Sequence, residues 1–106
     1  MTFPLSSALL EACVLAVLSR GDSYGYELTQ GVRQVAEISE STLYPVLRRL
    51  QQGGYLDTYD QPYQGRNRRY YTITPGGRTK HRDYLVEWLV YKRKVGKLLS
   101  GGTDDE

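Results

Sequence analysis

The sequence predicts a mainly α fold with a small β element (α+β). Three observations carry this. Apolar residues recur at helical spacing in three successive segments of the first half of the chain. The period then changes to two short aromatic and β-branched stretches around a polar segment. Helical spacing finally returns and persists almost to the end. The predicted order is helix, helix, helix, hairpin, helix.

The first helix is predicted from about Leu5 to Ser19. Leu9, Leu10, Cys13, Val14, Val17 and Leu18 fall at helical spacing, and Ala8, Ala12 and Ala16 lie between them. Apolar residues reach nearly all the way round, which predicts burial on most sides. Gly21 is the expected C-cap. Ser23 is the expected N-cap of a second helix running to about Val35, with Leu28, Val32 and Val35 facing inward. Ser39 and Ser41 are alternative caps for a third helix that ends near Gly53-Gly54. Proline is tolerated only near a helix start, so Pro45 favours Ser41 or a locally distorted first turn. Leu43, Val46, Leu47 and Leu50 mark its inner face.

Tyr55 to Tyr59 and Arg69 to Ile73 read as strands, and 60–67 reads as the turn-forming tip between them. Thr74 is placed to cap the last helix, with Pro75 at its first position, where a missing N–H costs nothing. That helix runs to about Leu99. Tyr84, Trp88, Tyr91, Val95 and Leu98 step by alternating fours and threes, a coiled-coil seam, and Leu85 widens the stripe. These elements divide the chain into a first unit at 1–74, a long seam-bearing helix at 75–99 and a flexible acidic tail at 100–106.

Composition narrows the function. The chain has 106 residues, 40% hydrophobic and 25% charged, which suits one globular domain. No apolar run reaches the ~18–20 residues of a membrane span, and no basic leader precedes the longest one, so the expectation is a soluble cytoplasmic protein without a signal peptide. One cysteine (Cys13) and one histidine (His81) argue against a disulfide framework, a metal centre or histidine-dependent catalysis. No cofactor and no enzyme activity are expected. The net charge of +2 conceals a basic stretch from Arg66 to Lys97, the electrostatic footprint of a phosphate-bearing partner.

Three helices, a hairpin and a helix in this order make a winged helix-turn-helix, in which a helix fits the DNA major groove and a hairpin tip follows the backbone or minor groove. Ser41, Thr42 and Tyr44 stand near the start of the third helix, where the dipole also favours phosphate. Arg48 and Arg49 follow one turn on. They point ~100° apart, so both cannot face one groove, and Arg48 is preferred. Arg66, Arg68 and Arg69 supply cations to the hairpin.

The motifs are specific. Gly25-Tyr26-Glu27-Leu28, Ser41-Thr42-Leu43-Tyr44-Pro45-Val46-Leu47-Arg48-Arg49-Leu50, Gly53-Gly54-Tyr55-Leu56 and Arg68-Arg69-Tyr70-Tyr71-Thr72-Ile73-Thr74 with Gly77 resemble the PadR family of bacterial transcriptional regulators over about Leu9 to Leu99. The resemblance implies a homodimer that binds double-stranded operator DNA through helix 41–52 and wing 60–69, usually as a repressor, in association with the nucleoid. The single C-terminal helix is similar to the branch that includes multidrug-responsive repressors. In some of these a tryptophan lines a pore at the dimer centre and stacks on planar hydrophobic drugs. Trp88 stands at the matching place, and the resemblance puts Tyr84, Ala8, Ala12 and Leu15 around it. The wing of many members reads Gly-Gly-Arg-Arg-Lys; here Gly65-Arg66-Asn67-Arg68-Arg69 keeps the charge and loses one glycine. The alternatives are a regulator with no small-molecule inducer and a winged helix that meets an acidic protein.

Overall fold

A computed structural model describes residues 6–102. The expected helix start at Leu5 and the last four residues of the expected acidic tail lie outside them. The elements are α1 (Ser7–Leu18), β1 (Ser23–Tyr24), α2 (Gly25–Val32), α3 (Glu40–Gln52), β2 (Leu56–Tyr63), β3 (Arg66–Ile73) and α4 (Pro75–Leu99). This is the expected helix-dominated α+β class, with one strand more than the sequence predicts. The strands form an antiparallel sheet in the order β1-β3-β2.

Ser6 caps α1 by accepting the Leu9 N–H at 3.1 Å. Its C-cap is Ser19, two residues before the expected Gly21. Leu10, Val14, Leu15 and Leu18 of α1 are buried, and they meet Leu28 and Val32 of α2 and Leu43, Val46, Leu47 and Leu50 of α3. The inner faces expected for α2 and α3 are the observed ones, except at Val35, which lies beyond the end of α2 and is 63% exposed. By contrast, α1 buries one face rather than most of its sides: Leu9, Cys13 and Val17 are only partly buried and Ala8 is exposed.

Three corrections share one cause, the pull of long-range pairing or of a neighbouring cap. Ser23 does not cap α2. It is drawn into β1, paired with Tyr71 across the sheet, and is itself buried. Ser39, not Ser41, caps α3. Its hydroxyl accepts the Thr42 N–H at 3.3 Å. Pro45 therefore sits inside the helix, where it leaves the exposed Ser41 without its usual backbone donor; water can serve that carbonyl. Finally, 60–67 is not a loop. The hairpin ladder continues through Asp60↔Arg69 to Tyr63↔Arg66, and the turn is only Gln64-Gly65. Both turn residues have positive φ, 51° and 80°, as a two-residue hairpin turn that matches strand twist requires.

The end of α3 and the start of α4 are joined through their backbones. α3 closes with the Tyr55 N–H on the Leu50 carbonyl at 2.9 Å and the Gly54 N–H on the Gln51 carbonyl at 3.0 Å, with Gly54 at φ 84°. Thr74 caps α4 as expected, its Oγ1 accepting the Gly77 N–H at 3.0 Å. The same hydroxyl donates to the Gly54 carbonyl at 2.7 Å. Gly77 lies against the Tyr55 carbonyl so closely that a Cβ would run into that oxygen, and it would also stand 2.7 Å from Ile73 Cγ1. A side chain here must displace backbone. Gly77→Ala is expected to cost ~1–3 kcal/mol as overpacking. Urea unfolding should show a lower midpoint with an unchanged m-value.

Candidate nucleic-acid interface and the groove beside it

α3 buries the face bearing Leu43, Val46, Leu47 and Leu50. By helical geometry, Ser41, Pro45, Arg48 and Gln52 lie diametrically outward, with Tyr44 on one flank and Thr42 and Arg49 on the other. Ser41, Thr42, Tyr44 and Arg48 are all exposed. The Ser41 and Thr42 hydroxyls lie 2.9 and 3.1 Å from the capping Ser39 hydroxyl, which prearranges three hydroxyls around the helix start. Arg48 takes part in no ion pair or side-chain hydrogen bond among the described residues. Arg49 does: its Nε is 3.2 Å from Glu11 Oε2 on α1. The two arginines thus do different things.

The three wing arginines also divide. The alternation of β3 puts Arg66, Arg68 and Tyr70 on the outer face of the sheet, and Arg69 with Tyr71 and Ile73 on the inner face. Arg66 stands beside the turn, exposed and with no ion pair or side-chain hydrogen bond among the described residues. The Arg68 guanidinium is clamped between two rings, 3.9 Å from the Tyr24 centroid and 3.5 Å from that of Tyr63. The neighbouring Tyr70 and Tyr63 hydroxyls hold its pKa up. Arg69 faces Asp60 at 3.5 Å, a solvated pair of little energetic worth.

Beneath Arg68 lies a tyrosine row. Tyr24, Tyr70 and Tyr59 stand side by side across the three strands, with ring centroids 5.6 and 5.5 Å apart. Tyr59 ends the row by donating to Asp22 Oδ2 at 2.7 Å, and that bond pushes its hydroxyl pKa up. On the inner face, burial raises the pKa of Tyr71, and Tyr44, Arg69 and Glu40 act on the same hydroxyl electrostatically. Leu43 of α3 and Tyr71 and Ile73 of β3 belong to the same buried core.

A second feature lies between α1 and α4, a groove of about 730 Å³ lined by Ala8, Leu9, Ala12, Tyr84, Trp88 and Tyr91, among others. Trp88 and Tyr91 form a tilted ring pair 6.4 Å apart. Leu15 is fully buried in the core and does not line the groove. Of the expected seam, Leu85, Trp88, Tyr91 and Leu98 are exposed, Val95 is half-buried, and Tyr84 packs against the core of its own chain. Among the described residues no group of histidine, cysteine and carboxylate side chains could hold a metal ion, and no helix is long and apolar enough to cross a membrane.

Glu11 and the ring clamp on Arg68 are not expected from the sequence. The signal for Glu11 is visible afterwards: it is the one charged residue in α1. No local pattern marks the clamp, because Tyr24, Tyr63 and Arg68 meet only through sheet register.

A family profile described as the PadR-like family of transcriptional regulators matches residues 14–83. The chain is similar to a protein of known structure from Streptococcus mutans, with 42% identity over 100% of both chains and a TM-score of 0.88. It is similar to a PadR-like transcriptional regulator from Bacillus cereus, with 30% identity over 86% of this chain and 91% of that one and a TM-score of 0.78. It shares its fold with Bacillus subtilis PadR, whose structure is a complex with operator DNA. The identity there is 24% over 74% of this chain and 47% of that one, with a TM-score of 0.68.

Tyr84 provides a check on the groove wall. Burial, then the 2.8 Å hydrogen bond to Glu11, push its hydroxyl up to about 12. An unfolded tyrosine ionises near ~10, so this group stabilises the fold fully below pH ~10 and the contribution is lost as pH rises toward 12. Melting temperature should fall across that window, and Tyr84→Phe should make the fall shallower.

Proposed function

The chain belongs to the PadR-like family of transcriptional regulators, and from that premise we propose that it is a cytoplasmic homodimeric repressor of operator DNA whose grip is loosened by a planar hydrophobic ligand at the dimer seam. The observation that carries DNA binding is the union of two arginines that have no ion pair or side-chain hydrogen bond among the described residues, Arg48 on the outward face of α3 and Arg66 at the wing tip, with the hydroxyl-bearing start of α3, which shares the core with the hairpin through Leu43 and Tyr71. The α3 face enters the major groove. Arg48 is the candidate base reader, with Ser41, Thr42 and Tyr44 around it, and Arg66 neutralises phosphate. Arg69 adds a weaker, Asp60-shared charge, and Arg68 stiffens the wing.

Dimerisation follows from α4. Along its length only Gly77 is buried, while Leu85, Val86, Trp88, Leu89, Val90, Tyr91, Leu98 and Leu99 are exposed. That much apolar surface on one helix calls for a second copy along the Tyr84–Leu98 seam. Trp88 and Tyr91, with Tyr84, Ala8 and Ala12, then offer flat and small surfaces to an aromatic guest. Such a guest shifts DNA affinity only through its different fit to two subunit spacings. Two reading helices must span ~34 Å, so a small change of spacing misregisters them.

Duplex DNA from the promoter region of the chain's own gene should bind more tightly than random duplex, with log K falling linearly against log salt. Arg66→Ala should weaken binding to every sequence and reduce the slope by about 1, whereas Arg48→Ala should cost ~1–3 kcal/mol of discrimination at one position. Equal affinity for both duplexes with no salt dependence refutes DNA recognition. Sedimentation should give twice 12.1 kDa. With a single tryptophan in the chain, emission quenching by planar aromatics reports the groove directly. A confirmed dimer that no such compound quenches removes the ligand from the proposal and leaves the DNA reading standing.

A further inference from the structure

One carboxylate touches both functional regions. Glu11 sits on α1 between the groove-lining Ala8 and Ala12, its side chain only 17% exposed. Its Oε1 accepts the Tyr84 hydroxyl of α4 at 2.8 Å, and its Oε2 faces Arg49 Nε of α3 at 3.2 Å. Tyr84 in turn lines the groove, and Lys80 stands 5.1 Å from its ring centroid. Arg49 lies one residue from Arg48, on the flank of the face proposed to read DNA.

We propose that Glu11 is a positioning residue that withholds Arg49 from DNA, and that the Tyr84 hydroxyl sets how firmly it does so. This rests on the DNA-binding reading above. With the carboxylate anchored by Tyr84, Arg49 is spent on α1 and α3 is pinned at its flank, so contact with DNA is left to the outward face. When Tyr84 moves, Glu11 loses an anchor and Arg49 becomes available to any nearby phosphate. Binding then gains strength that carries no sequence information, and discrimination falls. The device converts the state of the α1–α4 groove into the ratio of specific to non-specific binding, through side chains alone.

The test measures duplex affinity against salt for the full chain and its variants. Glu11→Gln should steepen the slope by about 0.9, one further phosphate, and raise random-duplex affinity about 5–10-fold at ~0.1 M salt. The operator-to-random ratio should fall accordingly. Arg49→Gln alone should leave the slope unchanged, and adding it to Glu11→Gln should abolish the gain. This second variant approaches the same pair from its other side, so a folding defect in one does not mimic the pattern. Tyr84→Phe should move slope and ratio in the direction of Glu11→Gln, by less. A Glu11→Gln slope equal to wild type, a gain that survives loss of Arg49, or a Tyr84→Phe protein indistinguishable from wild type overturns the proposal while wild-type binding stands. Failure of the wild type to bind duplex overturns the DNA reading and this proposal together.

Discussion

The approach of Gly77 to the Tyr55 backbone is the constraint on which the arrangement depends. The glycine lets the first turn of α4 lie on the chain as it leaves α3, and the Thr74 hydroxyl, donating to Gly54 and accepting from Gly77, fixes the orientation. Backbone contacts of this kind cannot adjust by changing rotamers, so the direction of α4 is set relative to α3. Gly54 and Gly77 are therefore the joint between the helix with the exposed polar face and the helix with the exposed apolar one.

Charge in this fold is sorted by neighbours. Five arginines lie on α3 and the wing, and the fold gives them different surroundings: a carboxylate on α1 for Arg49, two aromatic rings for Arg68, a solvated aspartate for Arg69, and no ion pair or side-chain hydrogen bond among the described residues for Arg48 and Arg66. An arginine already stacked on rings contributes rigidity. One without such contacts keeps its whole donor set for a partner. Tyrosine serves the wing in the same structural sense. The row of Tyr24, Tyr70 and Tyr59 gives a long, two-faced hairpin an apolar outer surface without sacrificing its polar end, where Tyr59 donates to Asp22.

The core is small. It joins α1, α2, α3 and the root of the sheet, and α4 gives it little beyond Tyr84. A long helix with almost all of its apolar side chains in water is a poor end state for a monomer. The polar contacts along α1 and α4, Tyr84 to Glu11 and Arg78 to the Ser19 carbonyl, orient α4 where packing alone does not.

The sequence by itself determined what is local or periodic. The inner faces of α2 and α3, the C-terminal ends of α3 and α4, the Thr74 cap and the α4 seam spacing follow from repeats of 3.6 residues and from residues that cap their own helix. Tertiary structure decided whatever depends on contacts between distant residues. Ser23 is a strand residue because Tyr71 is there to pair with it, and 60–67 is ladder because aspartate, glutamine and proline sit in register with Arg69, Arg68 and Asn67. That Arg49 is engaged within the chain rests on a glutamate 38 residues away in the sequence. Leu15 sits at helical spacing on the same helix as Ala8 and Ala12, yet it turns into the core and they turn to the groove. A helix repeat states which residues share a face; only the packed neighbours state what that face meets.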